Sequence, residues 1–289
     1  MALCFLSKLS ISLTFIEQCW KYLFLGIIQG LTEFLPISST AHIKVIPFFL
    51  NWNDPGVAVT ASLQLGSIIA VISYFWRDIA RLLNGISKVG LKKNWKNSNS
   101  RLAITVVLGT LPIVFSGMLI KLFWGNYESS VLRSIPSIAI VSIVMSALLL
   151  LADLFGKRIK TFDDLKVSDG IIIGLAQVLA FIPGVSRSGI TITTALITGW
   201  ERKSAARFSF LLGIPAITLA GLVELKEAFG SFSIAEVIPL LLGIISSAIT
   251  SWMAIDFLMK FLEKKNMMIF ITYRFLFGIL LLIWYPLIT

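Results

Sequence analysis

Six segments of this chain are each long and apolar enough to cross a bilayer, which takes about 20 residues of α-helix. They are Val57–Trp76, Leu102–Leu122, Pro136–Phe155, Ser204–Val223, Ala235–Leu258 and Met267–Ile288. Hydrophobic residues make up 57% of the 289-residue chain, against about 45–50% in soluble domains. Too little polar surface remains to cover that apolar content in water. The fold class expected is an all-α polytopic membrane protein.

Two further apolar regions do not read as simple spans. Trp20–Leu35 and Ser39–Leu50 are separated by Pro36-Ile37-Ser38-Ser39, and Gly170–Ile182 and Arg187–Gly199 by Pro183-Gly184-Val185-Ser186. Two short helices around such a break read as a re-entrant hairpin that enters and leaves by one face. Broken backbone at membrane depth survives only where protein or a water-filled cavity satisfies it, so both breaks are candidate site positions. The regions also resemble one another. Gly26-Ile27-Ile28-Gln29 followed by Pro36 and Ser38-Ser39 echoes Gly174-Leu175-Ala176-Gln177 followed by Pro183 and Ser186-Arg187-Ser188. Leu63-Gln64-Leu65-Gly66 likewise echoes Phe210-Leu211-Leu212-Gly213.

The repeat interval is half the chain, so each half is expected to hold one hairpin and three spans. An odd number of crossings inverts the second half, giving an inverted-topology repeat with its site at the repeat interface. The expected organisation is an extension over residues 1–19, a first repeat over 20–155 and a second, inverted repeat over 156–289, together one integral membrane domain.

Loop charge tests that topology independently. If the Arg77–Arg101 loop with its seven basic residues is cytoplasmic, alternation puts Gly156–Ser168, Trp200–Arg207 and Lys260–Asn266 on the same side. These add Lys157, Arg158, Lys160, Lys166, Arg202, Lys203, Arg207, Lys260, Lys264 and Lys265. Only Lys121, Arg133 and Lys226 fall in or beside the opposite loops, a strong positive-inside asymmetry. The first hairpin would then open to the exterior and the second to the cytoplasm. This also accounts for the excess of 25 Lys+Arg over 15 Asp+Glu without nucleic acid, for which aromatic-interleaved basic patches are missing. Cys4 and Cys19 have no metal or redox spacing. Residues 1–19 offer no clear small-residue cleavage site, so a removable signal peptide is not expected.

The chemistry-bearing residues sit in the two breaks. Glu33 is ionisable within an apolar stretch, which is costly and functional by default, and Gln29 shares its helical face. Ser38, Ser39 and Thr40 open the second short helix, where capping competes with a reactive role. His42 is the only histidine; a lone histidine is more often structural than catalytic, but its place three residues after Ser39, near a carboxylate and a broken helix, brings the two readings level. In the second break, Ser186, Arg187, Ser188 and Thr191 lie at the start of a helix whose free N–H groups suit an anion. Arg187 suits bidentate grip on phosphate; its alternative is a topology-fixing ion pair with Glu33. Arg274 is expected to line the cavity or pair with Asp256, and Asp153, Glu224 and Glu236 to lie at the interfaces. Buried Arg, hydroxyls and Glu33 together favour phosphoryl transfer. Walker A, zinc-type and nucleophile-elbow patterns are absent.

At Gln29…Glu33, continuing through Phe34-Leu35-Pro36-Ile37-Ser38-Ser39-Thr40-Ala41-His42, and at Pro183-Gly184-Val185-Ser186-Arg187-Ser188-Gly189-Ile190-Thr191, the chain resembles the undecaprenyl-diphosphate phosphatase family, the bacitracin-resistance membrane phosphatases. The resemblance runs from about Trp20 to the C-terminus. It implies hydrolysis of a C55 isoprenoid diphosphate to the monophosphate, which recycles the lipid carrier for cell-wall synthesis and confers bacitracin resistance.

It also implies a divalent cation, Mg²⁺ or Ca²⁺, held in part by Glu33, and a bacterial inner-membrane location with the site opening outward. Carried over by position, Glu33, Ser39, His42 and Arg187 form the catalytic set, with Gln29, Ser38, Thr40, Ser186, Ser188 and Thr191 binding substrate. Many relatives have Glu where this chain has Gln29, which puts a two-carboxylate metal site in doubt. Partners expected are the polyprenyl diphosphate and the bilayer, with homo-oligomerisation left open. Ser39 attack with His42 or Glu33 as base, and direct water attack, both fit. The reading from another class is a transporter of an anionic lipid or solute, since broken helices in inverted repeats serve transport too; a structural scaffold would leave Glu33 and Arg187 unexplained.

Overall fold

The computed structural model describes residues 2–92, 97–125, 127, 130–228 and 236–288, with side chains described outside 2–13, 89–92, 227–228 and 288. Lys93, Lys96 and Ala235, and the side chains of Cys4 and Lys92, lie outside the described residues. Among the described residues the chain is helical, in chain order α1 (Ala2–Glu33), α2 (Ser39–Phe49), α3 (Gly56–Tyr74), α4 (Trp76–Lys92), α5 (Ser98–Phe123), α6 (Ile135–Phe155), α7 (Val167–Gln177), α8 (Arg187–Ile197), α9 (Arg202–Ala228), α10 (Val237–Phe261) and α11 (Met268–Ile288). Six of these, α3, α5, α6, α9, α10 and α11, have the length and hydropathy to cross a membrane. They correspond to the six segments read from the sequence. The protein is a multi-pass membrane protein.

Helix α1 passes through position 19 without a break. The basic segment after α3 is largely the amphipathic helix α4. Its Asp78 accepts from Arg207 at 2.5 and 3.0 Å, which ties the start of α4 to the start of α9. Arg101 reaches the Asp163 carbonyl at 3.3 Å. The C-terminus of α3 and the N-termini of α5 and α9 thus share one basic end of the bundle.

Asp153 is buried and does not sit at an open interface. It receives Arg202 at 2.5 and 3.1 Å and the Met267 N–H at 3.3 Å. A helix-to-helix turn at the basic end is therefore fixed by a charge-assisted clamp, the strong class of hydrogen bond.

The elements beside the breaks pack closely because small residues let backbones approach. A Cβ added at Gly26 would lie 2.2 Å from the Gly243 carbonyl oxygen, so α1 runs hard against α10. The Leu23 carbonyl accepts from Ser246 at 3.0 Å, and four residues on the Ile27 carbonyl accepts from Thr250 at 3.4 Å; the two helices therefore run parallel. A Cβ on Gly174 would lie 2.1 Å from the Gly109 carbonyl oxygen, and one on Gly170 2.4 Å from that of Thr105. Helix α7 therefore runs parallel to α5 in the same way. Helix α2 leaves the first break along α6 and α11, burying Ala41 and Val45 with Ile135, Ile138 and Leu281. Helix α8 leaves the second break into the main core, where Ile192, Ala195 and Leu196 pack with Trp200, Phe208 and Phe210. Sheet pairing is limited to an isolated bridge between Lys160 and Trp200 among the described residues.

Candidate active site

The two breaks meet. Arg187 Nη2 lies 3.1 Å from Glu33 Oε1 although 154 residues separate them in sequence. Ser188 Oγ donates to the Leu35 carbonyl at 3.0 Å. Each break is set by a serine in the same unusual conformation. Ser38 has φ 75° and ψ 97°, Ser186 has φ 68° and ψ 117°, and each is the N-cap of the helix that begins there. Ser38 Oγ accepts from the Ala41 N–H at 3.4 Å and Ser186 Oγ from the Gly189 N–H at 3.1 Å. A non-glycine residue at positive φ costs of order 1–3 kcal/mol and persists only where its surroundings enforce it. The side chain that ties down the residues just before both serines is Arg274. Fully buried on α11, it donates to the Pro36 carbonyl of one break at 3.2 Å, and to the Gly184 and Val185 carbonyls of the other, the latter at 3.0 Å. One guanidinium thus satisfies backbone that helix breaking left without partners, the requirement for irregular backbone inside a membrane protein.

Arg274 therefore does not pair with Asp256, which is engaged by Lys260 at 2.7 Å and Tyr74 at 3.3 Å. Its importance was detectable as a charge in an apolar helix. Its partners were not, because backbone carbonyls carry no sequence signal.

Around Glu33 the polar groups converge on one carboxylate. Ser39 Oγ donates to Oε2 at 2.7 Å and Gln29 Nε2 to the same oxygen at 3.0 Å, while Arg187 takes Oε1. Arg187 keeps Nε and Nη1 buried and without a hydrogen-bond partner. Buried donors without partners are expensive, and here they belong to a residue lining a cavity. The cavity holds about 210 Å³ and is lined by Gln29, Glu33, Ser38, Ser39, Thr40, Ser186 and Arg187 together with Gln64 and Glu224. The guanidinium is seated against Gly213 of α9, where an added Cβ would fall 1.6 Å from Nη1. Phe34 lies beneath it, with the ring centroid 6.0 Å from Cζ.

Three expected site residues sit elsewhere. His42 is buried behind Ser38: its Nδ1 lies 2.7 Å from the Ser38 carbonyl and its Nε2 2.7 Å from the Tyr273 hydroxyl. A carbonyl only accepts, so Nδ1 carries the proton and neutral Nε2 accepts from Tyr273. Phe277 stacks on the ring at 4.6 Å. The group that accepts the Ser39 hydrogen bond is Glu33, while His42 meets the Ser38 carbonyl. Ser188 is spent on linking the two breaks. Thr191 Oγ1 is buried against the Arg187 carbonyl at 2.8 Å and Ser209 at 2.6 Å. Both lie behind the cavity wall, because the first turns of α8 point those side chains into the protein. Tyr273 carried no signal in the sequence, being one more aromatic in an apolar helix.

The donor set limits how a metal could be held. Among the described residues no group of three or more His, Cys, Asp and Glu comes together. Glu33 with the amide oxygen of Gln29 fits a cation whose other ligands are phosphate oxygens and water, as is usual for Mg²⁺, and does not fit an all-protein cage.

The chain matches the family described as bacitracin resistance protein BacA over residues 22–280. It is 71% identical over 285 residues to the undecaprenyl-diphosphatase of Prochlorococcus marinus (strain SARG), covering 99% of both chains. It is 57% identical over 270 residues to that of Prochlorococcus marinus (strain MIT 9313), covering 93% of this chain and 90% of the relative. It is also 57% identical over 277 residues to that of Parasynechococcus marenigrum (strain WH8102), covering 96% of both. With matches of this extent on both sides of the site, the chain belongs to the bacitracin resistance protein BacA family.

Proposed function

We propose that this protein hydrolyses undecaprenyl diphosphate to undecaprenyl phosphate and inorganic phosphate, recycling the lipid carrier for cell-wall synthesis. The observation that carries the reading is the contact of Ser39 Oγ with Glu33 at 2.7 Å beside Arg187, whose two remaining donors are buried and unpartnered. Arg187 and the free N–H groups at the start of α8 bind the diphosphate and stabilise the charge that develops on it. Phosphate drawing Arg187 away leaves Glu33 able to take the Ser39 proton. Ser39 Oγ then bonds to the terminal phosphorus, the bond to the bridging oxygen breaks, and the lipid monophosphate leaves. Water cleaves the phosphoserine to free phosphate. A divalent cation bound through Glu33, Gln29 and the phosphates would neutralise charge on the transferring group. The transporter alternative gives the Ser39–Glu33 hydrogen bond no task.

The breaks are the tips of re-entrant hairpins in an inverted repeat. Supporting this, Ser38 and Ser186 share backbone geometry and capping bonds at equivalent places in the two halves. The close pairings are also crossed: α1 of the first half lies on α10 of the second, and α7 of the second on α5 of the first. The basic end faces the cytoplasm of a bacterial plasma membrane by the positive-inside rule, which opens the catalytic cavity to the outer face.

The test is phosphate release from undecaprenyl diphosphate by the purified protein in detergent, with and without chelator. Release that stops on chelation and returns with Mg²⁺ or Ca²⁺ is expected. Absence of release with metal present, alongside lipid flipping in vesicles, would overturn the reading.

A further inference from the structure

Part of the catalytic cavity wall is apolar and has no task in the chemistry. It is made by Ile113 of α5, Phe181 of the second break, and Ala216, Ile217 and Ala220 of α9. Near the basic end α5 and α9 touch, since a Cβ on Gly109 would lie 2.8 Å from Leu212 Cδ1. One turn further along each helix, Ile113 and Ala216 border the cavity. Beyond them Gly117 and Val223 border its continuation toward the outer end, about 740 Å³ in volume, which shares Phe181 with it. The two helices both start at the basic end, so they diverge outward and leave a slot. The α9 edge of the slot is low. Gly213 seats the Arg187 guanidinium, and Ala216 and Ala220 follow along the same helical face. Leu219 and Leu222 beside them are exposed on the flank of the bundle. Ala220 is exposed too, so the slot reaches the lipid-facing surface. The α5 edge is lowered at Gly117, where an added Cβ would lie 3.0 Å from Phe181 Cζ. At the inner end stands Arg187, its side chain 10% exposed and its Nε and Nη1 unpartnered.

We propose that the isoprenoid chain of the substrate leaves the catalytic cavity sideways, through the slot between α5 and α9, and that Ala220 keeps this exit open. The inference rests on the diphosphatase reading and deepens it. A headgroup seated at Arg187 and Glu33 lies inside the protein, while the chain it carries is hydrocarbon. Every methylene left in water weakens binding by about fourfold. The chain must therefore stay on apolar surface from its first unit onward. The outer mouth does not offer that, being lined by Lys44, Asp54 and Glu224. The slot does. Ile113 and the Phe181 ring receive the first isoprene units, and the small side chain at Ala220 lets the following ones run into the bilayer. Headgroup and chain are then recognised by opposite ends of one cleft.

The experiment uses the full-length protein in detergent. Steady-state hydrolysis of undecaprenyl diphosphate is measured together with inhibition by methylenediphosphonate, a headgroup mimic that carries no chain and resists hydrolysis. Wild type is compared with Ala220→Trp and the milder Ala220→Leu, and with Leu219→Trp, which adds the same bulk on the exposed flank. Position 220 is exposed, so both of its variants should fold, and thermal unfolding in detergent checks this. In Ala220→Trp, KM for the lipid should rise at least about tenfold, the effect of denying the slot to about two methylene groups. Ala220→Leu should show a smaller rise, and Leu219→Trp none. The inhibition constant of methylenediphosphonate should stay within about twofold in all three, because headgroup recognition is untouched. An unchanged KM in Ala220→Trp would overturn the proposal. So would an equal rise in the methylenediphosphonate constant, which would mark a distorted headgroup pocket, or an equal KM rise in Leu219→Trp. Failure of wild type to release phosphate at all would instead overturn the diphosphatase reading, so the two failures are distinguishable.

Discussion

Gly213 gives the sharpest test of the site, because it is remote from the motifs and makes no hydrogen bond of its own to them. A Cβ placed there would lie 1.6 Å from Arg187 Nη1 and 2.6 Å from Cζ. Ordinary carbon–nitrogen contact needs about 3.5 Å, so Gly213→Ala must push the guanidinium by roughly 2 Å. Its contact with Glu33, made by Nη2 at 3.1 Å, is expected to break with such a shift. Misplacing a catalytic group by about 1 Å costs on the order of 100-fold in rate, and losing one donor to transition-state charge costs about 100–1,000-fold. Because the displaced atoms are the far end of a flexible side chain, the cost in stability should be small. The expected result is a kcat lowered at least about 100-fold in a protein that still extracts and unfolds as a membrane protein, measured by phosphate release and thermal unfolding in detergent. The control is the double-variant cycle. In an Arg187→Ala background the alanine at 213 should cause little further loss, because its effect passes through Arg187. A Gly213→Ala protein with near-normal kcat, or one whose loss adds fully to that of Arg187→Ala, would refute the seating of Arg187 against this glycine.

The other expectations are shorter. Ser39→Ala should abolish turnover, and rapid quenching of wild type should trap phosphate on Ser39; full activity in Ser39→Ala would mean that water attacks directly. Arg274→Met strands the Pro36, Gly184 and Val185 carbonyls, at about 1–3 kcal/mol for each buried group left unpaired. A large fall in unfolding temperature is therefore expected, and unchanged stability would show that the breaks hold themselves. Tyr273→Phe removes the donor to His42 Nε2. It should act through the same contact as His42→Ala, so that the double variant is no worse than the worse single one; additive losses would give His42 a separate role. Chelation should stop hydrolysis and added Mg²⁺ or Ca²⁺ should restore it, whereas full activity in chelator would leave Arg187 and the α8 N-terminus as the only charge stabilisers.

Much of this architecture was legible in the order of residues. Apolar length is a local property that the bilayer reads directly, so the six spans emerged within a few residues of their observed ends. Pro36 and Pro183-Gly184 marked the breaks, since proline removes a backbone donor and disfavours helix in the residue before it. Glu33 and Arg187 declared themselves by charge in apolar surroundings.

Contacts across the bundle could not be read in this way. That Glu33 gathers Ser39, Gln29 and Arg187 on one carboxylate depends on how closely α1 approaches α10 and α7 approaches α5, and glycines along those helices set the distances. Pairing with Asp256, one of the two alternatives expected for Arg274, failed for a related reason. Two opposite charges invite pairing on paper, but the guanidinium is instead spent on carbonyls that became unpaired only when the chain folded. His42 and Thr191 belong to the right motifs yet face away from the cavity, because the pitch of α2 and α8 turns them into the protein. The sequence alone determined which residues could do chemistry and roughly at what depth they lie. Tertiary structure decided which of them share a cavity, because hydrogen-bond reach across helices is a matter of a few ångströms of packing that no local pattern encodes.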